Sequence, residues 1–303
     1  QILNVMKSDF KYKMVISALR LFAVLPLPVL YVLSDVMYVA VYHLAGYRKK
    51  VVRANLEMVF GTGDREKILK IEKGFYHHLC DCIVETVKLL HISDKEIDRR
   101  VIVTNGELVD DIINSGHSVV LLLGHYCNWE WVQAIIHHFK AELVGGQIYK
   151  PLHNKVMDEV MLKIRSRFGL ECVPQQKTVR RLLDIERSGR HFVMGFISDQ
   201  RPIGRNLHNW TDFMGIDTPY AVGGEVVGEH VGARFLYVDM KKVKRGHYSL
   251  TFRPIVPDDN DKDPNPYTRS FMKMLEKSIY AAPQYWLWSH KRWKKHRTSP
   301  SAR

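Results

Sequence analysis

Cysteine, glycine, proline and acidic residues are all in short supply in this chain. Four cysteines in 303 residues are too few and too irregularly spaced for a disulfide framework or a zinc site built from two cysteine pairs. With 19 glycines and 12 prolines, the composition excludes a fibrous or low-complexity protein. Asp and Glu number 32 against 45 Lys and Arg, a net charge of +13. We therefore expect a folded, basic, intracellular protein with an acidic partner: nucleic acid, an anionic membrane, a phosphorylated lipid or an acidic carrier protein.

Long hydrophobic runs are also scarce, and the one that stands out covers residues 21–45. It is long enough to cross a bilayer, and no small-residue cleavage pattern follows it, so we do not expect a cleavable signal peptide. Pro26 and Pro28 divide the run and predict a helix over 29–44. Cations on both sides fit a helix or bent hairpin on the cytoplasmic membrane surface as well as a span, and a buried core helix is the alternative. These cations are Lys7, Lys11, Lys13 and Arg20 before the run and Arg48, Lys49, Lys50 and Arg53 after it.

After residue 60, short apolar segments alternate with segments of helical periodicity. This alternation predicts an α/β fold with a central, mostly parallel sheet flanked by helices, preceded by an N-terminal membrane-associated helix. The simplest partition is a membrane-anchoring helical region, 1–60, and a catalytic domain, 61–303. Strands are predicted at 118–124, 142–149, 170–174, 191–198, 233–241 and 248–254, and helices at 66–90, 129–139, 154–168, 178–188, 220–231 and 265–281.

A histidine follows the first of these predicted strands. The strand ends at Gly124, His125 comes next, Asn128 suits a helix N-cap, and Glu130 falls in the first helical turn. Because sites in α/β proteins form at the carboxyl ends of strands, we predict His125 as a general base and Glu130 as the carboxylate that orients it. The five-residue spacing alone is not specific, because three further pairs share it: His91/Glu96, His137/Glu142 and His153/Asp158.

Two other interpretations of this motif stay open. Cys127 is placed to act as an acyl-accepting nucleophile with His125 as its base. Glu130 equally suits a structural role, as an acid facing the positive end of the helix, with His125 as a hydrogen-bonded turn residue.

The motif and several later segments resemble the lipid A late (secondary) acyltransferases, the lauroyl and myristoyl transferases of lipid A biosynthesis. His125 and Glu130 match the H-x-x-x-x-E signature of that family, whose glycerolipid-acyltransferase relatives use H-x-x-x-x-D. The similarity continues in the same order through nearly the whole chain, at 149–158, Arg165-x-Arg167, Asp199-Gln200, 212–215 and 284–294.

The resemblance implies a glycerolipid-acyltransferase-like fold at the cytoplasmic face of the bacterial inner membrane. It implies transfer of a fatty acyl chain from acyl-carrier protein to a hydroxyl of an anionic lipid A precursor, in lipopolysaccharide biosynthesis. The acyl-carrier protein thioester is the acyl donor, and no metal, other cofactor or nucleic acid is expected. His125 is implied as the general base and Glu130 as its partner.

The resemblance also supplies candidate substrate-binding residues. Lys150 stands where the family usually has Arg, and with Arg165 and Arg167 it is a candidate for holding the oxyanion or the acceptor phosphates, unless these cations are simply solvated. Phe213 and Met214 are candidates for the wall of the acyl slot or for plain core. The 212–215 segment departs from the family pattern, with Asp and Met where Pro and Phe are frequent. The full set is Asn128, Lys150, Arg165, Arg167, Asp199, Gln200, Phe213 and Gly215, with a helix cap as the alternative for Asp199.

Two further classes of function remain as alternatives. One is an acyltransferase for another acceptor, such as a lysophospholipid, an amino-acid lipid or a glycolipid. The other is a non-enzymatic, basic protein that binds anionic lipid at the membrane surface. The aromatic and basic run at 285–293 fits an interfacial anchor, and the basic residues of 290–297 equally fit a solvated tail.

Overall fold

The computed structural model describes residues 2–202, 207–257 and 264–294, with side chains from residue 10 onward. Its α-helices are α1 (Ile2–Val24), α2 (Leu27–Tyr38), α3 (Lys49–Phe60), α4 (Arg65–Lys88), α5 (Asp94–Arg100), α6 (Glu107–Asn114), α7 (Lys155–Arg165), α8 (Thr178–Arg187), α9 (Gly223–His230) and α10 (Pro266–Ala281). A π-helical segment (Val39–Leu44) continues α2, and short 3₁₀ helices cover Trp131–His138, Gln175–Lys177 and Pro283–Tyr285.

The strands are β1 (Val101–Val103), β2 (Val119–Leu123), β3 (Val144–Tyr149), β4 (Glu171–Pro174), β5 (Phe192–Ile197), β6 (Trp210–Phe213), β7 (Ile216–Pro219), β8 (Arg234–Lys244) and β9 (His247–Pro254). Seven of them form one sheet in the order β1-β9-β8-β2-β5-β3-β4, and β6 and β7 form a separate hairpin. Every pair in the large sheet is parallel except β8 with β9. The expected α/β class with a mostly parallel sheet is confirmed.

The centre of the sheet is apolar on both faces. All five residues of β2 are buried, as expected for a strand that carries helices above and below it. The six predicted strands are all present, with ends shifted by up to three residues. The helix predicted over 129–139 is a tighter 3₁₀ helix, Trp131–His138.

The N-terminal helices pack on the long helix α4 through one face of α2. Leu27, Leu30, Ser34 and Tyr38 of α2 are buried, and the Ser34 hydroxyl donates to the Asp81 carboxylate at 2.8 Å. The opposite face of α2 exposes large apolar side chains, including Val32 and Val36. The segment Leu27–Leu44 is long and apolar enough to cross a membrane, although about a quarter of it (28%) is buried against the rest of the protein. The division of the chain at residue 60 stays a prediction.

The aromatic run near the C-terminus is core, not an exposed anchor. Trp286, Trp288 and Trp293 are all at most 4% exposed, and Arg292 is 1% exposed. The interfacial role predicted for these aromatics is therefore wrong, because their rings fill the space beside α10 and the β6–β7 hairpin. The basic residues from 295 onward lie outside the described part of the chain.

Candidate active site

His125 lies just after β2, and both of its ring nitrogens have partners. Nδ1 is 2.7 Å from Asp199 Oδ1, and Nε2 is 3.1 Å from the Gln200 side-chain nitrogen. The backbone N–H of His125 also donates to Asp199 Oδ2 at 2.8 Å. Because a carboxylate only accepts, Nδ1 carries the proton in this arrangement, and Nε2 presents the lone pair of a base.

The carboxylate of Asp199 is fixed from several sides. It is 3% exposed, and the Trp286 indole N–H donates to its Oδ2 at 2.8 Å. Burial alone acts to raise the pKa of Asp199, but the charge of His125 and the hydrogen bonds from His125 and Trp286 bring that pKa below its usual value. Asp199 is therefore held as the anion that a protonated imidazole needs beside it.

The sheet topology brings these two side chains together. β2 and β5 are parallel neighbours that pair Leu123 with Ile197, so the residues just beyond both strands meet at one sheet edge. Gly124 makes the approach possible. A Cβ at that position would lie 2.8 Å from a Leu275 methyl carbon and 3.3 Å from Asp199 Oδ2.

The predicted contact between His125 and Glu130 is replaced by a contact between Glu130 and Arg165. The Arg165 guanidinium donates to both carboxylate oxygens of Glu130, at 3.0 and 2.5 Å. The prediction that Glu130 orients the imidazole is therefore corrected, because Asp199 occupies that position. Local spacing favours a partner five residues away, whereas the true neighbour arrives through the adjacent strand, 74 residues later.

Asn128 and Cys127 belong to the loop that follows His125, but their side chains are buried and do not line the cavity beside His125. Asn128 is 1% exposed, its Nδ2 donates to Glu85, and its Oδ1 accepts from the backbone N–H of Trp131. Its predicted substrate contact is thus a structural one. The Cys127 thiol is fully buried, and burial raises its pKa, so the nucleophile interpretation is not supported.

A cavity of about 890 Å³ opens beside His125 and runs under the 3₁₀ helix. Its floor is formed by three neighbouring strands, with Leu121 and Leu123 of β2, Val193 and residues 195–197 of β5, and residues 145–149 of β3. His125, Gln200 and Lys150 follow the carboxyl ends of the parallel strands β2, β5 and β3, and we call this edge of the cavity its polar end. Leu121 and Val193 lie further back along β2 and β5, and we call that part of the cavity its apolar end. The polar group includes His125, Glu130, Gln147, Lys150, Arg165, Gln200, Arg201 and His290, and the apolar group includes Leu121, Val132, Ile135, Ile136, Phe139, Leu170 and Val193.

Some predicted substrate-binding residues line this cavity and others do not. Lys150, Arg165 and Gln200 line it, whereas Arg167 is exposed and contacts Ile92 and Asp94. Phe213 is buried against Trp286 instead of lining the cavity. Gly215, with φ of +75°, forms the turn between β6 and β7. The structure therefore does not bring Arg167, Phe213 and Gly215 to the lining of this cavity, and their binding roles stay predictions.

The sequence did not indicate the roles of Trp286, Arg201 and His290. Trp286 supports Asp199, and Arg201 and His290 line the polar end of the cavity. Burial lowers the pKa of His290 to about 4. The only available signal was that a tryptophan indole N–H seeks a partner when buried, which does not name the partner.

The sequence matches proteins of known activity over almost its entire length. Residues 6–295 match the family model described as bacterial lipid A biosynthesis acyltransferase. The chain is 23% identical over 281 residues to the lipid A biosynthesis palmitoleoyltransferase of Escherichia coli (strain K12), covering 92% of this chain and 89% of that protein. The same identity and coverage hold for a lipid A biosynthesis acyltransferase of Shigella flexneri.

Proposed function

Because the chain belongs to the bacterial lipid A biosynthesis acyltransferase family, we propose that it transfers a fatty acyl group from the thioester of acyl-carrier protein to a hydroxyl of a lipid A precursor. The observation that carries this proposal is the placement of His125. Its Nδ1 is held by a buried carboxylate, and it lines a cavity whose far end is apolar. A base beside an apolar slot is what acylation of an alcohol by a long-chain thioester requires.

The reaction begins with proton removal from the acceptor hydroxyl. The hydroxyl takes the place of the Gln200 amide as the donor to His125 Nε2. As the alcohol oxygen bonds to the thioester carbonyl carbon, its proton passes to Nε2, and Asp199 stabilises the resulting imidazolium. The C–S bond then breaks, and the proton moves from Nε2 to the departing thiolate.

The cations of the polar end give the developing negative charge a partner. Lys150 and Arg201 both line the cavity, and among the described residues Lys150 makes no ion pair of the kind that engages Arg165. Arg165 is committed to Glu130, so we assign that pair to the shape of the cavity wall. The contacts that select the acceptor therefore belong to Lys150 and Arg201.

We place the enzyme on the cytoplasmic face of the inner membrane, with α1 and α2 lying in the interface. Their exposed side carries many large apolar side chains together with the cations Lys11, Lys13 and Arg20, as suits an anionic interface. Ser34 and Asp35 on α2 are bonded to the domain through Asp81 and Arg245. A segment tied in this way along its length is unsuited to crossing a bilayer. The exposed apolar residues are Phe10, Met14, Leu21, Phe22, Val24, Val29, Val32, Leu33, Val36, Val39 and Leu44. A cysteine introduced at Val36 should be protected from a water-soluble maleimide by vesicles, and labelling unchanged by vesicles would contradict this placement.

The central test replaces the base. We expect His125→Ala to reduce acyl transfer from acyl-carrier protein by about 10²–10⁴-fold, the usual effect of losing a general base. The product is measured as the mass gain of extracted lipid when acyl-carrier protein with a labelled acyl group is supplied to membranes. The control is His91→Ala, which removes an exposed histidine from a pair with the same five-residue spacing.

The identity of the labelled lipid separates the candidate acceptors. A lipid A precursor that gains the acyl mass supports the proposal, and exclusive labelling of a phospholipid or amino-acid lipid contradicts its acceptor. If His125→Ala keeps a tenth or more of the wild-type rate while folded and membrane-bound, His125 is not the base.

A further inference from the structure

A fully buried glutamate, Glu85, lies in the last turn of α4 and is bonded to the loop that carries His125. Glu85 is 0% exposed, and both of its carboxylate oxygens accept hydrogen bonds from side chains. A buried carboxylate with several donors is held rigidly, because losing any donor leaves an oxygen without a partner. Glu85 is therefore a fixed point to which other elements are attached.

The first attachment reaches the loop after His125. Asn128 Nδ2 donates to Glu85 Oε2 at 2.6 Å, and this orients the amide so that Oδ1 caps the backbone N–H of Trp131 at 3.1 Å. The Trp131 indole N–H also donates to the backbone carbonyl of Glu85, at 2.9 Å. The start of the 3₁₀ helix, which forms a wall of the cavity, is thus tied to Glu85 twice.

The second attachment reaches the N-terminal helices. The Tyr31 hydroxyl on α2 donates to Glu85 Oε1 at 2.8 Å, and the Tyr248 hydroxyl on β9 donates to Oε2 at 2.7 Å. Tyr31 lies on the protein-facing side of the helix whose other side exposes Val32 and Val36. One carboxylate therefore connects the apolar, exposed helix to the loop of the candidate base.

We propose that Glu85 is a positioning residue that joins α2 to the His125 loop, so that the membrane-facing helix is part of the scaffold of the active site. This inference rests on the proposed acyl transfer, since it concerns how His125 is held for that step. Glu85 acts through Asn128 and touches no substrate. Its contribution appears in the rate of turnover and not in the affinity for the acyl donor.

The chain contains a closely matched control for this connection. Tyr42, in the π-helical segment, donates its hydroxyl to Oε1 of Glu72 at 2.9 Å, and Glu72 is also a fully buried carboxylate of α4. In the part of the chain that the structure describes, the other side chain that bonds Glu72 is Arg53 of α3, so this pair does not reach the His125 loop. The two tyrosines thus make the same bond to the same helix, and only one is linked to the candidate base.

The experiment compares Tyr31→Phe with Tyr42→Phe in the full-length, membrane-bound protein. We expect Tyr31→Phe to lower kcat about tenfold with little change in KM for acyl-carrier protein, because a hydrogen bond to the buried Glu85 carboxyl group is lost without any change at the cavity surface. We expect Tyr42→Phe to leave kcat within about twofold of wild type. Equal kcat values for the two variants would overturn the proposal.

A second measurement does not depend on turnover. Hydrogen exchange followed by mass spectrometry should show faster exchange in the peptide covering 124–133 for Tyr31→Phe and not for Tyr42→Phe. Unchanged exchange in that peptide contradicts the positioning role. Faster exchange in a protein that transfers no acyl group would support the connection and contradict the proposed function, so the two failures are distinguishable.

A double variant tests whether the effect passes through Glu85. We expect Glu85→Gln to lower kcat at least tenfold, because an amide replaces one accepting oxygen with a donor. Adding Tyr31→Phe to Glu85→Gln should then cost little more, since both changes break the same connection. Fully multiplicative losses would show that Tyr31 acts by another route. Tyr42→Phe should add its own small effect independently.

Discussion

The two ends of the cavity are built in opposite ways. At the polar end, His125, Asp199 and Trp286 come from three distant parts of the chain and are joined by hydrogen bonds of 2.7–2.8 Å. At the apolar end, Leu121, Val193 and neighbouring side chains come from adjacent strands and are held by packing alone. The structure of the polar end depends on hydrogen-bond direction and charge, and the structure of the apolar end depends on the shapes of its side chains.

This difference determines how each end responds to substitution. A hydrogen-bonded arrangement around a buried carboxylate fails abruptly, because a lost partner leaves a charge or a lone pair uncompensated. A packed apolar surface changes gradually with the volume of its side chains. We therefore expect loss of rate from changes at the polar end, and altered choice of acyl chain from changes at the apolar end.

After loss of the base itself, the largest effect should come from Asp199→Asn. The amide N–H of asparagine would donate to His125 Nδ1, which favours the tautomer whose Nε2 is protonated and unable to accept a proton. We expect kcat to fall by about 10²-fold or more in the acyl-transfer assay. Glu130→Gln should cost about tenfold or less, because Arg165 keeps an oxygen acceptor there. If Glu130→Gln proved the more damaging of the two, Glu130 would be restored as the functional partner of the base.

The sequence predicted the apolar end of the cavity better than the polar end. Strands such as β2 and β5 show as short, nearly continuous apolar runs, so their positions and the α/β class follow from nearby residues. The position of His125 at a strand end is also a local feature. The identity of its partner is not a local feature, because Asp199 reaches His125 only through the pairing of β2 with β5.

The same distinction between local signals and tertiary contacts explains the other differences between the predicted and the observed positions. Phe213 and Gly215 belong to a hairpin whose packing on Trp286 has no local signal. The aromatic run near the C-terminus has the composition of an interfacial anchor, yet Trp288 is fully buried. Composition describes what a segment is able to contact, and only the tertiary arrangement decides which contact is made.

We expect an effect of intermediate size, on the choice of acyl chain, from substitution of Gly195, which lies in the cavity floor. A Cβ there would meet Leu123 at 3.7 Å and Gln147 at 3.9 Å, which is ordinary contact, so a side chain fits but takes up space in the cavity. We expect Gly195→Val to reduce transfer of long acyl chains about tenfold relative to short ones. The measurement is a competition between acyl-carrier proteins carrying different chain lengths.

The control for that prediction is Gly146, whose backbone also lines the cavity. A Cβ added there would point away from the cavity, to the face of the sheet that carries Met194. A Cβ at Gly146 would approach the Met194 side chain at 2.8 Å and the Glu171 carbonyl at 2.9 Å. We expect Gly146→Ala to lower stability without shifting the preferred chain length. If Gly195→Val leaves the chain-length profile unchanged, the acyl group does not cross this part of the floor.

The smallest effect is a pH dependence of stability that comes from the polar end. Burial lowers the pKa of His290 to about 4, helped by the charges of Arg292 and Arg201 and opposed by Asp199. Between this pKa and the unfolded value of about 6.5, the unfolded chain binds the extra proton, so the free energy of unfolding rises with pH across that window and falls on acidification. Because a single histidine binds one proton, it contributes a slope of at most about 1.4 kcal/mol per pH unit, and solvent screening of its partly exposed ring reduces the effect further.

Urea unfolding at pH 7.5 and pH 5 tests this assignment with one variant from each end. We expect His290→Gln to lose less stability than wild type on moving to pH 5, because the buried site that disfavours the proton is gone. Ile135→Val at the apolar end should lower stability by about 1 kcal/mol at both pH values, since it removes one buried methylene and no titrating group. An identical acid-induced loss in wild type and His290→Gln would assign the acid sensitivity to other groups, such as His78, whose pKa burial lowers to about 3.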